Sequence, residues 1–351
     1  MTKIQLTNSY EEQEGAPFFS NFKEHYGSDK KEFASRIPPI DLYTVSSAYV
    51  SPYGVVFKNG KIVSESLYPH PGFSKLKTTL SFFKKIISRK VQELPEECFV
   101  CHHAWHFNYY HWIVEILPRF FISREYIKNS TLLLHENVTV FQKQSVELFG
   151  LKNVKFIKDH ELMRVSKILF PSFVNFASTT PVSFSGKEFT QIDVKIHKPV
   201  VKGMAEWIRS NHLNVKNEKR KIFISRQKAQ YRKLLNYDEV KKVLNSFEIE
   251  EVFLEELSFI DQLNLLANTQ ITIGLHGAGM SNIFVMPEGS YVLNFIHKDH
   301  HEYCYQQLAH AVDLNYAHVC SEGNSHPNPA YNDIKIDIEL LKKLLEKITK
   351  E

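Results

Sequence analysis

Residues 271–284 read ITIGLHGAGMSNIF, and this stretch decides the fold of the second half of the chain. A β-branched run leads directly into a turn of small residues, and the apolar start of a helix follows. The turn consists of His276, Gly277, Ala278 and Gly279. Because glycines let backbone N–H groups approach an anion and a helix N-terminus adds favourable partial charge, we predict a phosphate site here. A tight strand-to-helix turn can also need glycine for its backbone geometry alone.

Three better-known motifs are incomplete or absent in this sequence. The dinucleotide-binding pattern needs a third glycine where Asn282 stands, and no GxxxxGK[ST] sequence is present. The HGAG turn is similar to the oxyanion loop of α/β-hydrolases, but the chain has no GxSxG nucleophile elbow. The sequence therefore disfavours a dinucleotide-dependent enzyme, a P-loop protein and an esterase.

Strands and helices alternate on both sides of the turn. Strands are predicted at Lys221–Ser225, 249–254, Gln270–Gly274, Tyr291–Phe295 and 315–319, and helices at 199–213, 237–246, 258–267, 279–286 and near 301–312. This alternation predicts an α/β fold with a mostly parallel sheet, in which ligands lie at the carboxyl ends of the strands. The tail at 333–350 has helical spacing, and we expect it to pack back on the N-terminal domain.

The first half alternates in the same way after a different beginning. Residues 1–40 are polar and are expected to form a lead-in outside the core. Asn59-Gly60 between apolar runs predicts an antiparallel β-hairpin near the N-terminus, because both turn positions need positive φ. Helices are then predicted at 75–89, 108–125 and 141–149, and strands at 97–101, 131–135, 154–157 and 166–170.

Length and composition support two domains. At roughly 100–200 residues per domain, the 351 residues predict an N-terminal domain at 41–175 and a C-terminal domain at 199–330. A Pro- and Ser/Thr-rich linker is predicted at 176–198, and a C-terminal segment at 331–351. The net charge of +4 does not provide the basic field that nucleic acid needs. No signal peptide or long apolar run is apparent, so a cytoplasmic location is expected.

A basic loop follows the predicted strand Lys221–Ser225. It carries Arg226, Lys228, Arg232 and Lys233 at the carboxyl end of that strand. Arginine suits phosphate because its planar group donates two parallel hydrogen bonds. We expect Arg226 and Arg232 to contact a diphosphate beside the glycine turn; the alternative is a solvated basic loop.

Two further residues are assigned to the same crevice. Ser225 ends the predicted strand, and Glu288 lies in the Pro287-Glu288-Gly289 turn after the glycine-rich segment. We expect Glu288 to lie on the crevice side and to accept hydrogen bonds from a ribose. Ser225 and Glu288 are therefore the predicted nucleoside-binding residues.

The first half contains a polar stripe inside an apolar helix. Asn108, His111, Glu115 and Arg119 follow one another at helical spacing. A carboxylate beside an imidazole can act as a general base, so either Glu115 or His111 is the predicted catalytic base. Asn108 and Arg119 are expected near the site, in an acceptor-binding or a structural role. The alternative is that Glu115 only pairs with Arg119.

Metal binding is not predicted. Cys98 and Cys101 are followed by His102 and His103, but Cys-Phe-Val-Cys is β-prone and would direct the two sulfurs to opposite faces. A zinc knuckle needs a turn between its cysteines. We therefore predict no metal ligands in this segment.

The combination resembles glycosyltransferase family 61. The matching segments are Ser51-Pro52-Tyr53-Gly54 with its hairpin, residues 108–119, Ile224-Ser225-Arg226, His276-Gly277-Ala278-Gly279-Met-Ser-Asn282 and Pro287-Glu288-Gly289. The resemblance implies a GT-B fold, with two Rossmann-like domains facing across a cleft and the nucleotide sugar held mainly by the second. It also implies inverting transfer with no essential metal, so the nucleotide sugar is a co-substrate and no cofactor is expected.

Within that family the chain looks like a bacterial member. It would move a sugar from a donor, expected to be a UDP-sugar, to a glycan or lipid-linked glycan acceptor in capsule or lipopolysaccharide biosynthesis. Membrane contact would be at most peripheral, at the inner face of the cell membrane. The alternatives are a nucleotide-sugar-binding protein, or a hydrolase or isomerase that acts on the nucleotide sugar without a glycan acceptor.

Overall fold

The computed structural model describes residues 1–12, 17–21, 35–68, 74–184, 187–216, 218–300 and 302–350. The chain divides into two compact units. The first consists of Met1–Glu12, Ser35–Ala177 and Lys195–Val200, and the second contains Val201 and the residues after it. Each unit is built on its own sheet.

The strands are, in chain order, β1 (Thr2–Gln5), β2 (Tyr10–Glu12), β3 (Phe19–Ser20), β4 (Ser35–Ile37), β5 (Asp41–Val50), β6 (Val56–Lys58), β7 (Lys61–Ile62), β8 (Val91–Phe99), β9 (Thr131–His135), β10 (Val154–Ile157), β11 (Leu162–Pro171), β12 (Asn175–Phe184), β13 (Lys187–Ile196), β14 (Arg220–Ile224), β15 (Glu250–Val252), β16 (Thr269–Leu275), β17 (Tyr291–His297), β18 (Asn315–Gly323) and β19 (Ile334–Lys335).

The α-helices are α1 (Lys75–Ile87), α2 (Tyr109–His111), α3 (Leu117–Ser123), α4 (Val140–Glu147), α5 (Lys198–His212), α6 (Tyr237–Ser246), α7 (Phe259–Ala267), α8 (Cys304–Ala311) and α9 (Ile338–Lys350). Trp112–Ile116 is π-helical, and Ser64–Ser66, Leu254–Glu256, Ala278–Val285 and Pro329–Tyr331 are 3₁₀-helical. The strand–helix alternation expected from the sequence is confirmed in both halves, although Ala278–Val285 forms a 3₁₀-helix where an α-helix was expected.

The sheet of the first unit contains half of a Rossmann arrangement. Its parallel strands lie in the order β10-β9-β8-β11, so the strand that comes first along the chain lies between the second and the fourth. On the other side of β11, the strands β5, β6 and β7 continue the sheet in antiparallel pairing. The mixed sheet therefore combines a nucleotide-binding topology with an antiparallel edge.

The predicted hairpin forms that edge. Asn59 and Gly60 join β6 to β7 and have φ values of +50° and +75°. Both residues therefore adopt the left-handed conformation that a two-residue hairpin turn demands. The prediction from the Asn-Gly pair is confirmed.

Part of the expected lead-in belongs to the core. β1 pairs with β5, and Ile37 and Ile40 are 1% and 0% exposed. A polar composition does not prevent an edge strand from forming, because the pairing hydrogen bonds come from the backbone. The expectation that residues 1–40 lie outside the core is wrong for Ile37 and Ile40, whereas the side chains of β1 are exposed. Residues 13–16 and 22–34 lie outside the described residues.

The segment expected as a linker at 176–198 is also more regular than predicted. β12 and β13 pair with each other there. Ile192, Val194 and Ile196 alternate with polar residues, which is a strand signal. The Pro and Ser/Thr content of the segment obscured that signal.

The second unit has a parallel sheet with a different strand order. It runs β15-β14-β16-β17-β18, and each of these neighbouring pairs is parallel. This is the flavodoxin-like order 2-1-3-4-5, whose switch point lies between the first and third strands. The predicted parallel α/β sheet is confirmed for this unit.

The C-terminal helix α9 belongs to the core of the second unit. Its side chains Leu341, Leu345 and Ile348 are buried in one cluster with Phe223 of β14 and Ile273 of β16. The expectation that this helix packs on the N-terminal domain is wrong, because its apolar face is already buried within the second unit. Among the described residues, no helix is long and apolar enough to cross a membrane.

Candidate active site

The first unit has a switch point between β8 and β11. Leu169 pairs with Phe99, so these parallel strands end side by side. The chain leaves β8 towards His103 and leaves β11 towards Asn175. Ligands of open α/β sheets bind where neighbouring strands lead in different directions, at their carboxyl ends. This end of the sheet is therefore the first part of the candidate site.

A π-helical turn carries Glu115 in this region. Within Trp112–Ile116 the backbone widens, and the N–H of Leu117 donates to the carbonyl of Trp112. Pro118 accounts for the widening, since proline has no N–H and its ring would clash with the carbonyl four residues earlier in a regular helix. The predicted helix at 108–125 is thus interrupted at the residue that carries the carboxylate.

Four donors surround the Glu115 carboxylate, which is 1% exposed. Its Oε2 atom lies 3.0 Å from Nε2 of His103 and 2.9 Å from Nδ1 of His111. The Tyr68 hydroxyl donates to Oε2 at 3.0 Å, and Nδ2 of Asn175 donates to Oε1 at 2.9 Å. The carboxylate is therefore saturated with protein partners.

The surroundings keep Glu115 ionised. Burial by itself would raise the pKa of this carboxyl group, but the imidazoles of His103 and His111 outweigh it and hold the pKa at about 2. Burial lowers the pKa of His103 and raises the pKa of the Tyr68 hydroxyl, so both face the carboxylate as neutral donors. A carboxylate with so little affinity for a proton is a poor general base at neutral pH.

His111 has the geometry that a base requires. Its side chain is 24% exposed, while Nδ1 faces the buried carboxylate of Glu115. An ionised partner favours the tautomer with a proton on Nδ1 and leaves Nε2 able to accept one. The two candidates that the sequence left open therefore differ in position: Glu115 is buried, and His111 lies partly exposed beside it.

Asn108 and Arg119 have structural contacts. Asn108 caps the helix, since its side-chain oxygen accepts from the N–H of Tyr110 at 2.9 Å. Arg119 is buried and donates to the carbonyls of Cys101 and Pro171, which follow β8 and end β11. In place of the Glu115–Arg119 pair that was the alternative interpretation, the guanidinium of Arg119 ties the two strand ends together.

A cavity of about 240 Å³ adjoins this cluster within the first unit. Tyr68 lines it together with the aromatic side chains of Tyr53, Phe57 and Phe82. The hydroxyl of Tyr68 is the same group that donates to Glu115. Aromatic walls beside a few polar groups are common in small-molecule sites.

The second unit places its predicted residues at its own switch point. Ile224 pairs with Gly274, so Arg226 and Gly277 both follow strand ends of β14 and β16. A Cβ atom built on Gly277 would lie 2.3 Å from Nη1 of Arg226. The guanidinium therefore lies directly against Gly277 and would have to move if residue 277 had a side chain, and the predicted proximity of the loop and the turn is confirmed.

Two arginines face this turn with unused donors. Arg232 has a φ of +60° and donates from Nη1 to the carbonyl of His276 at 2.9 Å. Burial and the charge of Arg232 lower the pKa of Arg226 to about 10, so it stays protonated at neutral pH. Within the described residues, the Nε atoms of Arg226 and Arg232 are buried without a hydrogen-bond partner. Such donors are suited to an anionic ligand.

His276 is buried between two polar partners. Its Nε2 lies 2.9 Å from Oε2 of Glu302, and its Nδ1 lies 3.2 Å from Nδ2 of Asn294. Burial lowers the pKa of His276 to about 4, so the ring is neutral at pH 7. In the described part of the chain, His276, Glu302 and Cys304 are the group of side chains close enough together to hold a metal ion. Binding of a metal ion by Nε2 of His276 would replace its present contact with Glu302.

The remaining predicted residues differ in position. Ala278 and Gly279 begin the 3₁₀-helix Ala278–Val285, whose first N–H groups lack intrahelical partners. Ser225 follows β14 at the switch point but is 2% exposed, and its hydroxyl is a partner of Glu251. It therefore offers little surface to a nucleoside.

The expected position of Glu288 is wrong. Tyr291 of β17 pairs with Ile271 near the start of β16, so the turn before β17 lies at the amino edge of the parallel sheet. Glu288 is exposed there and lies 3.2 Å from Nζ of Lys202. The turn returns the chain to the beginning of the next strand, which is the end opposite to His276.

Several site residues were missed by the sequence interpretation. Tyr68, His103 and Asn175 all contact Glu115, and Glu302 and Asn294 flank His276. His103 and Asn175 each follow a predicted strand closely, so the strand-end rule could have found them. Tyr68 follows no such pattern.

Known proteins resemble part of this chain. Residues 109–293, more than half of the chain, match the family Glycosyltransferase 61. The EGF domain-specific O-linked N-acetylglucosamine transferase of Mus musculus is 35% identical over 106 residues, which cover 29% of this chain and 20% of that protein. The proteins of the same name from Drosophila melanogaster and Xenopus laevis are 29% identical over 102 residues and 26% identical over 143 residues, and the matches cover 28% and 36% of this chain and 19% and 27% of those proteins.

The matched region contains His111, Glu115, Arg226, Arg232 and the glycine turn. The match spans about a fifth of the length of the Mus musculus relative. The family match covers the switch point of the second unit and the helix that carries the carboxylate of the first. This chain belongs to glycosyltransferase family 61, as the order of its motifs predicted.

Proposed function

We propose that this chain is an inverting glycosyltransferase that takes a sugar from a nucleoside diphosphate donor, with a UDP-sugar as the expected donor, and transfers it to a glycan hydroxyl. One observation carries the proposal. Two half-buried guanidinium groups, those of Arg226 and Arg232, lie at the switch point of the second unit, and no described residue accepts from their buried Nε atoms. A diphosphate supplies the acceptor oxygens and the negative charge that these donors require.

The donor half of the reaction belongs to the second unit. The arginines and the first N–H groups of Ala278–Val285 would hold the diphosphate, and they would stabilise the charge that develops on it as the sugar departs. Cations and dipoles that are already in place do not need to reorganise during the reaction. This supports the prediction that a divalent metal is not essential.

The acceptor half belongs to the first unit. The acceptor oxygen would attack the anomeric carbon from the face opposite the diphosphate, and the carbon–oxygen bond to the diphosphate would break. The proton of the acceptor hydroxyl would pass to Nε2 of His111, and ionised Glu115 would stabilise the resulting imidazolium. The cavity that ends at Tyr68 is the proposed place for part of the acceptor.

Four finer predictions remain part of this proposal. A GT-B arrangement is supported by the two different Rossmann-like strand orders, each with its own switch point. The bacterial polysaccharide role, the glycan or lipid-linked acceptor and the cytoplasmic location rest on the sequence resemblance. The relatives given above are animal proteins whose name describes transfer of N-acetylglucosamine to EGF domains.

The proposal is tested by thermal unfolding of the purified protein with UDP, GDP, CMP and their sugar conjugates. A ligand at 100 times its Kd that binds only the folded state adds about 2.7 kcal/mol, which shifts the melting temperature clearly. We expect a shift with one nucleoside diphosphate that persists in EDTA. The shift should be lost in Arg226→Ala and kept in Lys228→Ala, because Lys228 is exposed and paired with Glu256.

Sugar transfer separates the proposal from its alternatives. Release of the nucleoside diphosphate that depends on an added glycan indicates a transferase. Release at the same rate without any acceptor would indicate a hydrolase, and nucleotide binding without turnover would indicate a binding protein. No melting shift with any nucleotide would contradict the proposed donor site.

A further inference from the structure

Helix α1 (Lys75–Ile87) exposes a continuous apolar stripe. Leu76, Leu80, Phe83 and Ile87 are 69%, 60%, 44% and 81% exposed. Their spacing of four, three and four residues places them on one face of the helix. Scattered exposed apolar residues are normal, but an exposed stripe along a whole helix indicates an interaction surface.

The opposite face of the same helix is anchored in the first unit. Phe82 is buried and stacks on Phe57 with ring centroids 4.2 Å apart. Ile86 packs against the same apolar cluster. The helix therefore already has a buried face, and the stripe of Leu76, Leu80, Phe83 and Ile87 is a second apolar face that the fold of this unit does not use.

Positive charge flanks the stripe. The sequence from 75 to 90 contains Lys75, Lys77, Lys84, Lys85, Arg89 and Lys90, and it contains neither aspartate nor glutamate. Lys85 is half-buried and donates to the backbone carbonyl of Asp159. Among the described residues, Lys77 and Lys84 have no carboxylate partner within ion-pair distance, and both are exposed. Their charge is therefore available to a ligand.

We propose that α1 docks the first unit on an anionic lipid surface, with the stripe inserted at the level of the headgroups. A helix with an apolar face and lysines beside it is the kind of element that lies in the plane of a membrane interface. At 1.5 Å per residue, its 13 residues extend about 20 Å, which is too short to span the hydrocarbon core. The unpaired lysines favour a lipid surface over an apolar protein partner, because anionic headgroups supply complementary charge along the whole stripe.

This placement has a consequence for the neighbouring cavity. Lys77, Thr78 and Ser81 of α1 line the cavity that also contains Tyr68. One helix would thus contact the lipid with one side and the cavity with another. An acceptor attached to a membrane lipid would be presented next to the Glu115 cluster. The docking itself does not depend on the proposed transfer reaction.

The experiment is cosedimentation of the full chain with phosphatidylcholine vesicles, with and without phosphatidylglycerol. Binding is expected only to the anionic vesicles and is expected to weaken as salt is raised. The double variant Leu80→Glu/Ile87→Glu should bind roughly a hundred-fold more weakly, because two apolar contacts are lost and two repelled charges are added. The matched control is Val140→Glu, since Val140 is 72% exposed and lies on another helix.

A second variant tests the electrostatic part without altering the stripe. Lys77→Ala and Lys84→Ala should each reduce the affinity for anionic vesicles about five-fold and reduce its dependence on salt. Melting temperatures and nucleotide-induced shifts equal to wild type would establish that the variants are folded.

The proposal is overturned if the wild type ignores anionic vesicles, or if the double variant binds them as well as the Val140→Glu control does. It is also overturned if sedimentation velocity finds a concentration-dependent dimer that the double variant abolishes, since a second copy of the chain would then cover the stripe. Nucleotide binding is read independently, so a failure here is distinguishable from a failure of the proposed transferase.

Discussion

The two units place opposite charges at equivalent points of their sheets. In the first unit, the strands β8 and β11 end at a buried carboxylate whose oxygens are all used by the protein. In the second, β14 and β16 end at two guanidinium groups whose Nε donors no described residue uses. The charge at one strand-end site is hydrogen-bonded within the protein, whereas the charges at the other have donors left for a ligand.

This difference indicates how the carboxyl ends of parallel strands can support two kinds of chemistry in two different strand orders. A charge that is satisfied inside the protein cannot bind a substrate, but it can orient and stabilise a neighbouring group such as His111. A half-buried charge without an ionic partner has an unfavourable desolvation free energy in the unliganded protein. An anion that binds there compensates this free energy, so it can bind strongly. The fold places a charged group at the strand ends, and the hydrogen-bond partners around that group determine whether it positions a neighbour or binds a ligand.

The largest effect is expected at His111, which is partly exposed beside Glu115 in the first unit. His111→Ala should reduce kcat of sugar transfer by about 10²–10⁴, since a general base contributes a factor of that size. Binding of the nucleotide should be unaffected, because the proposed nucleotide site lies in the second unit. The measurement is steady-state transfer combined with nucleotide-induced melting shifts. Equal kcat in the variant would remove His111 from the role of base.

The contribution of the buried Glu115 carboxylate is tested by its effect on the free energy of unfolding. Glu115→Gln should lower the free energy of unfolding at pH 7 by about 3 kcal/mol, because the folded-state pKa of about 2 lies well below the ordinary value of 4.5. The sign follows from proton uptake. Below pH 4.5 the unfolded chain protonates this carboxyl group while the folded chain does not, so the stabilisation exists above pH 4.5 and disappears towards pH 2.

Urea unfolding of both proteins between pH 8 and about pH 4 measures this difference. The gap between wild type and Glu115→Gln should be constant above pH 5 and should begin to narrow below it. A gap that instead widens on acidification would contradict an ionised, stabilising Glu115.

The position of Arg226 in the second unit is tested by adding one methyl group at residue 277. In Gly277→Ala the new Cβ would lie 2.3 Å from Nη1 of Arg226, so the guanidinium must move away. We expect roughly ten-fold weaker nucleotide binding, since a charge-assisted hydrogen bond is lost or distorted. The control is Gly279→Ala, whose Cβ would meet only Cδ1 of Leu254, at 3.1 Å. Titration calorimetry with the active nucleotide should separate the two variants, and equal affinities would contradict this placement of Arg226.

The smallest expected effect concerns the helix that carries the first cluster. Asn108→Ala removes the N-cap acceptor of the Tyr110 N–H, and it should cost about 1 kcal/mol of stability. Asn108→Ser should restore most of that loss because serine is also a good cap. If serine restored the stability but not the rate of transfer, Asn108 would have a direct role in acceptor binding.

Much of the fold was predictable because it depends on local patterns. The hairpin at Asn59-Gly60 follows from the φ values that its turn demands, and the alternation of strands and helices predicts parallel sheets. The same rule placed Arg226 and Gly277 at neighbouring strand ends. Glu288 was misplaced because a turn after a helix leads to the start of the next strand, and so to the opposite edge of the sheet.

By itself, the amino-acid sequence determined the family, the parallel α/β class and the proximity of the basic loop to the glycine turn, because each depends on residues close together in the chain or on the direction of parallel strands. Only the tertiary structure shows that the Glu115 carboxylate is enclosed and that His111 beside it is partly exposed. Tyr68, His103 and Asn175 reach the carboxylate from three distant segments, which no local pattern reveals. A pKa depends on burial and on every neighbouring donor, and those neighbours are set by packing.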